Sequence, residues 1–139
     1  MQIGTKFSIS IHILLSAAYF KDDKVTSEFI AEGVGTNPVI VRKLMSILKS
    51  ANLIITRAGV GGVSLAKAPS EISLYDVFVA VNEGENNLFK IHKNSPAACP
   101  LGGRIDALLT PHFNDAQNAL NNELKGTTLQ NLLNELGKR

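Results

Sequence analysis

Between Gly33 and Pro69 the chain carries five cations, Arg42, Lys43, Lys49, Arg57 and Lys67, and no Asp or Glu, a local charge of +5 in a chain of formal net charge +2. A stretch of this sign either stands solvated or holds phosphates, and charge alone does not separate the two. Arg57 is followed by Gly59, Gly61 and Gly62. Glycines permit positive φ and let a phosphate come close to backbone N–H groups, although an ordinary hairpin turn uses them in the same way. The Gly-x-Gly-Gly pattern lacks the Lys and Ser of a Walker loop and opens no helix, which excludes that nucleotide site. Cys99 is the single cysteine. It is a sensor candidate, able to pair across two copies or to be oxidised reversibly, or else an inert buried thiol. As a nucleophile it would need His112 as base, and no acidic or amide orienter follows from the spacing, so no enzyme is expected. The three histidines are scattered without ligand spacing, so no metal site is expected.

These groups need elements to hold them in place. Gly35-Thr36-Asn37-Pro38 reads as a turn, with Thr36 or Asn37 as N-cap and Pro38 preset for the first helical turn. The spacing predicts a helix from Pro38 to about Ala51 that buries Val41, Leu44, Met45 and Leu48, with Ile47 on the flank. Its other face presents Val39, Arg42, Lys43, Ser46 and Lys49. Ahead of the turn, Phe7 to Phe20 suits a mostly buried helix. A short second helix, capped by Thr26 or Ser27 and ending at Gly33 or Gly35, turns Phe29, Ile30 and Val34 inward. Beyond it, Leu53 to Thr56 and Val63 to Leu65 have strand propensity and form a hairpin around the basic glycine tip. A short helix, a glycine turn and a helix with a basic outer face make a helix-turn-helix, whose second helix enters the major groove.

Ser73-Leu74-Tyr75-Asp76 has capping-box spacing ahead of Val77, Phe78, Ala80 and Val81, a helix expected to end near Gly84. Asn86 to Pro100 reads as a loop. Ile105, Leu108, Leu109, Phe113, Ala116, Leu120 and Leu124 then repeat at three/four spacing, across about 30 Å if the helix is continuous. Pro111 must either kink this helix or start a second one. Thr127 or Thr128 caps a last helix carrying Leu129, Leu132, Leu133 and Leu136.

At 139 residues and 45% hydrophobic, the chain can bury one core. The expected organisation is residues 1–84 as a winged helix-turn-helix and 85–139 as a loop and helical dimerisation region, together one compact unit. The fold class is mainly α with a small β-hairpin wing. Lys6, Ser8, Ser10, His12 and Ser16 interrupt the apolar start and no cleavage site comes after it, so neither a signal peptide nor a membrane span is expected. A lone thiol is compatible with the reducing cytoplasm.

The chain resembles the Rrf-two family of winged-helix repressors. The resemblance rests on Phe29-Ile30-Ala31-Glu32 before the turn, Val41-Arg42-Lys43-Leu44 running on through Leu48 to Ile54, and the wing from Arg57 to Ala66. Glu71 to Val77, Cys99-Pro100-Leu101 before a long helix, and Thr128 to Leu132 complete it. The resemblance covers nearly the whole chain and implies a homodimer in which the long helix crosses its partner, with a two-fold interface that would match a palindromic operator. It also implies that the helix from Pro38 reads bases while the wing reaches a neighbouring groove. Cluster-binding relatives supply three cysteines in the loop before the long helix, whereas this chain has Cys99 alone, so no iron–sulfur cofactor is expected. Where many relatives carry an aromatic and an acidic residue, this helix has Ile40 and Arg42, so the resemblance does not transfer an operator sequence.

The expected function is transcriptional repression through double-stranded DNA. The alternative is a winged-helix module of weak DNA affinity that answers to a protein partner. Arg42 and Lys43 are candidates for guanine or phosphate contacts, and Arg57 for a minor-groove or phosphate contact. Val39 suits a thymine methyl or simple packing, and Ile40 packing. Thr36, Asn37, Pro38, Lys49 and the three wing glycines complete the candidate surface, with the effector unassigned.

Overall fold

The computed structural model describes residues 4–20, 25–57, 62–82 and 87–137. Helix α1 (Lys6–Tyr19) turns Ile13, Leu14 and Ala17 into the core. Helix α2 (Ser27–Val34) starts where the Phe29 N–H donates to Thr26 Oγ1 at 3.1 Å. It stops at Gly35, whose φ of +82° is the left-handed conformation that glycine adopts freely. Phe29 does not turn inward as its spacing suggests. It is part exposed and meets Phe20 edge-on, with ring centroids 5.1 Å apart.

Helix α3 (Pro38–Ser50) begins at a cap that Asn37 rather than Thr36 supplies, Oδ1 accepting from the Val39 N–H at 2.8 Å. It buries Val41, Leu44 and Leu48. Its C-terminus is a Schellman motif: the Leu53 N–H donates to Leu48 O and the Asn52 N–H to Lys49 O, both at 3.0 Å. Asn52 takes the left-handed position with a φ of 62°. Strand β1 (Ile54–Arg57) then pairs antiparallel with β2 (Gly62–Leu65), in a register that sets Arg57 opposite Gly62.

A 3-10 turn (Pro69–Glu71) leads to α4 (Leu74–Val81). Its capping box uses Asp in place of Glu: the Asp76 N–H donates to Ser73 Oγ at 3.1 Å, and the Ser73 N–H to Asp76 Oδ2 at 2.9 Å. The expected boundary at 84/85, and Gly84 as the end of this helix, lie outside the described residues.

Helix α5 (Ile105–Lys125) runs unbroken for 21 residues with Pro111 inside it. The alternative of a second helix starting at Pro111 is therefore corrected. A proline removes one rung of the ladder, and the helix continues on either side of it. Helix α6 (Leu129–Gly137) opens with a reciprocal cap between Thr128 and Asn131. It is tied back by a bridge between Ser73 and Thr128 and by the Leu129 N–H donating to Ile72 O at 2.9 Å.

One buried cluster joins residues of α1 to α4, both strands, Ile72 and Leu129, while α5 contributes nothing to it. Burying a Leu, Ile or Phe side chain is worth roughly 1.5–3 kcal/mol, so this cluster carries the stability that holds the exposed surface in place. Among the described residues no helix is long and apolar enough to cross a membrane.

Candidate nucleic-acid interface

Burial of one face of α3 fixes what the other face offers. With Val41, Leu44 and Leu48 in the core, the 3.6-residue period turns Arg42, Lys43, Ser46 and Lys49 outward, and all four are exposed. Val39 and Ile40 are not packed within the chain. They are 61% and 45% exposed at the start of the helix, which leaves apolar surface there beside the cations.

The hairpin lies next to this helix. Lys49 Nζ donates to Thr56 Oγ1 on β1 at 3.0 Å. Arg42 of α3 and Arg57 of β1 line one shallow depression of about 260 Å³, together with Thr56 and Gly62. The fold thus brings Arg42, Lys49 and Arg57 to one side of the molecule. Arg57 is exposed, and Thr36 and Gly62 are half-buried. Gly59 and Gly61 lie outside the described residues.

Two residues that the local charge pattern does not reveal also belong to this surface. Glu28 and Ser27, at the start of α2, stand against Arg42, with Glu28 Oε1 3.6 Å from Arg42 Nη1. Glu28 precedes the acid-free stretch in sequence, and only the α2–α3 packing returns it to the basic face.

Cys99 is exposed, which corrects the buried alternative. Its Sγ accepts from the Gly102 N–H at 3.3 Å. That N–H, and after it the one of Leu101, holds the thiol below its ordinary pKa by stabilising the thiolate. The turn needs a glycine at 103, where a Cβ would lie 2.5 Å from the Ala97 carbonyl oxygen. His12, His92 and His112 are exposed, and among the described residues no three His, Cys, Asp or Glu side chains are grouped to hold a metal ion.

On α5, Ile105, Leu109, Phe113, Leu120 and Leu124 are half-buried, whereas Leu108 is 54% exposed and Ala116 is also exposed. The one buried residue of this helix is Gln117, which its residue type does not suggest. Its Oε1 accepts from the Leu88 N–H at 2.8 Å, and its Nε2 donates to Asn121 Oδ1 at 3.0 Å. The spacing of 113, 117, 120 and 124 places Gln117 in the apolar stripe, which was the available signal.

Comparison with known proteins agrees with this architecture. The Rrf2 family model, described as an iron-dependent transcriptional regulator, matches residues 3–135. The Bacillus subtilis protein YwnA, assigned as an HTH-type transcriptional regulator, is 42% identical over 134 residues, covering 96% of this chain and 98% of the relative. A crystal structure assigned to a DNA-binding protein superposes with a TM-score of 0.74 at 38% identity, covering 92% of this chain and 98% of the other. The structure of CymR, the global cysteine regulator of B. subtilis, has a TM-score of 0.72 at 21% identity over 95% of both chains, a likeness of fold.

Proposed function

Because this chain belongs to the Rrf2 family of DNA-binding transcriptional regulators, we propose that it is a cytoplasmic repressor that docks as a homodimer on a palindromic operator. The observation that carries this reading is that Arg42 and Lys49 of α3 and Arg57 of β1 come exposed to one side of the molecule, with Lys43 exposed on the same helix, in a stretch of chain that has no carboxylate of its own.

An α-helix fits the major groove of B-DNA, and the N-terminal turns of α3 carry the groups suited to base edges. Arg42 and Lys43 can donate to the O6 and N7 of guanine. Val39 offers a methyl surface to thymine. Lys49 and Arg57 are placed for phosphates or for a narrow minor groove beside the wing. Asn37 and Pro38 set the start of the helix, with Thr36 beside them, and the wing glycines Gly59, Gly61 and Gly62 are the candidates for close approach of backbone to the duplex. Two copies related by a two-fold axis present two such helices, which demands half-sites about one helical turn or a multiple of it apart.

The apolar side of α5, Ile105, Leu108, Leu109, Phe113, Ala116, Leu120 and Leu124, is the dimer surface in this reading. Its support is that a 21-residue helix buries a single side chain within the chain. Residues 1–84 then read DNA, and residues 85–139 hold the two copies together.

The cluster chemistry of the family does not fit this chain. Four thiolates hold a typical iron–sulfur cluster, and the chain has Cys99 alone, with no grouped ligands around it among the described residues. We therefore assign no resident cofactor. The exposed, acidified thiol of Cys99 favours a redox signal instead: oxidation there, ahead of α5, would alter the dimer and release DNA. Replacing Cys99 by Ser should abolish oxidant-induced release, and a retained response would move sensing elsewhere.

The test of the main reading is selection of a duplex from a random pool, with titration of the selected duplex at rising salt. A palindromic consensus and a log–log salt slope of several units are expected, because each phosphate contact adds about 0.9 to the slope. Recovery of no duplex would leave the protein-partner reading.

A further inference from the structure

The fold places a carboxylate on a surface whose own sequence stretch has none. Besides the contact between Glu28 Oε1 and Arg42 at 3.6 Å, Arg42 Nη1 donates to Ser27 Oγ at 3.5 Å. That hydroxyl in turn donates to Glu28 Oε2 at 3.0 Å. Guanidinium, hydroxyl and carboxylate close a ring on the wall of the depression that Arg57 also lines, and Glu28 is the one acid among the described residues lining it. Its carboxyl is held below the usual range by its own backbone N–H, then by Ser27 and Arg42, so it is charged at neutral pH. The side chains of Arg42 and Glu28 are 52% and 70% exposed, so an approaching duplex meets both.

We propose that Glu28 is a specificity-determining residue: it pairs with Arg42 in the free protein and repels phosphate from it, leaving the uncharged edge of a base as the partner Arg42 accepts. This rests on the reading of α3 and the wing as a DNA-binding surface. Non-specific binding is essentially all charge, so a carboxylate placed among the cations weakens it directly. A guanine edge carries no net charge and offers Arg two aligned acceptors, so it meets much less of that repulsion than a phosphate does. An exposed ion pair is itself weak, which makes this partner exchangeable when DNA arrives. Glu28 thereby lowers affinity for arbitrary sequence more than affinity for the operator.

The experiment uses the full chain and two duplexes of about 30 base pairs, one recovered by selection on the wild-type protein and one scrambled to the same base composition. Glu28→Gln keeps the shape and removes the charge. It should raise affinity for the scrambled duplex about three- to five-fold while changing the selected duplex less than about two-fold. The salt slope on the scrambled duplex should steepen by up to about one. Glu32→Gln, on the same helix but facing a different depression with His12 and Phe29, is the charge-matched control and should leave the ratio unchanged. In an Arg42→Ala background, Glu28→Gln should no longer move the ratio. An unchanged ratio in Glu28→Gln, an equal effect from Glu32→Gln, or a loss of affinity confined to the selected duplex would each overturn the inference. Failure to enrich any duplex would instead remove the DNA-binding reading beneath it, so the two failures are told apart.

Discussion

Helices α3 and α5 are both amphipathic by spacing, and the chain treats them in opposite ways. The 13 residues of α3 bury Val41, Leu44 and Leu48 in the common core, whereas the 21 residues of α5 bury only Gln117. One apolar stripe is covered by its own chain. The other stands half covered, with Leu108 in the open. An apolar period shows that a helix has a face, and says nothing about which molecule covers it. The two helices therefore differ in what covers them: α3 is fixed against the core of its own chain and presents its cations from there, while α5 leaves apolar surface that its own chain does not cover, the surface the proposed dimer would use.

That contrast can be broken by experiment. The largest effect should come from Leu44→Ala on α3, where removing a fully buried side chain costs about 2–5 kcal/mol out of a typical total of about 5–15 kcal/mol. Urea unfolding reads it directly, and a loss below about 1 kcal/mol would contradict a filled core beneath α3. Leu108→Asp on α5 should instead halve the mass seen in sedimentation while the far-ultraviolet helical signal stays, because the carboxylate must desolvate only where two copies meet. An unaltered mass would remove α5 as the dimer surface.

Arg42→Ala and Lys43→Ala should each weaken binding to a selected duplex by about 1–3 kcal/mol if they contact bases, with mass and unfolding midpoint unchanged. Wild-type affinity in both would take the recognition role away from α3. The smallest effect concerns the turn just before α5. Hydrogen bonds from Gly102 and Leu101 favour the Cys99 thiolate, so the pH at half-maximal alkylation should fall below that of free cysteine, and the reactive fraction at pH 7 should rise. A midpoint at or above the free value would overturn the stabilisation of the thiolate by this turn.

Much of α3 is legible in the sequence because its signals are local. Asn37-Pro38 fixes the start, three buried positions fix the face, and the outward cations are a matter of helical geometry. The capping box at Ser73 is equally legible, with Asp76 replacing Glu and still reaching back to the Ser73 N–H. Features that depend on packing between distant segments are not. Glu28 joins the basic face only through the α2–α3 contact, and Gln117 is buried because the backbone of Leu88, 29 residues away, needs an acceptor. Spacing turns Phe29 inward, but the aromatic contact it makes with Phe20 lies near the surface. Proline chemistry argues for an interruption at Pro111, and the helix runs past it. Cys99 supports two opposite readings, since a residue type fixes its chemistry without fixing its exposure.

One residue links α3 to its ribbon. Asn52, with its φ of 62°, is the single left-handed step between α3 and β1, and buried Leu48 and Leu53 clamp it from either side. The angle at which the hairpin leaves the helix axis therefore pivots on one peptide unit, much as a lever turns on its pin. Asparagine tolerates that conformation, and a β-branched side chain would resist it. The distance between Arg57 and the cations of α3 is thus set by an uncharged residue, and in the proposed DNA-binding reading that residue fixes the phosphate spacing the surface spans without having to touch the duplex.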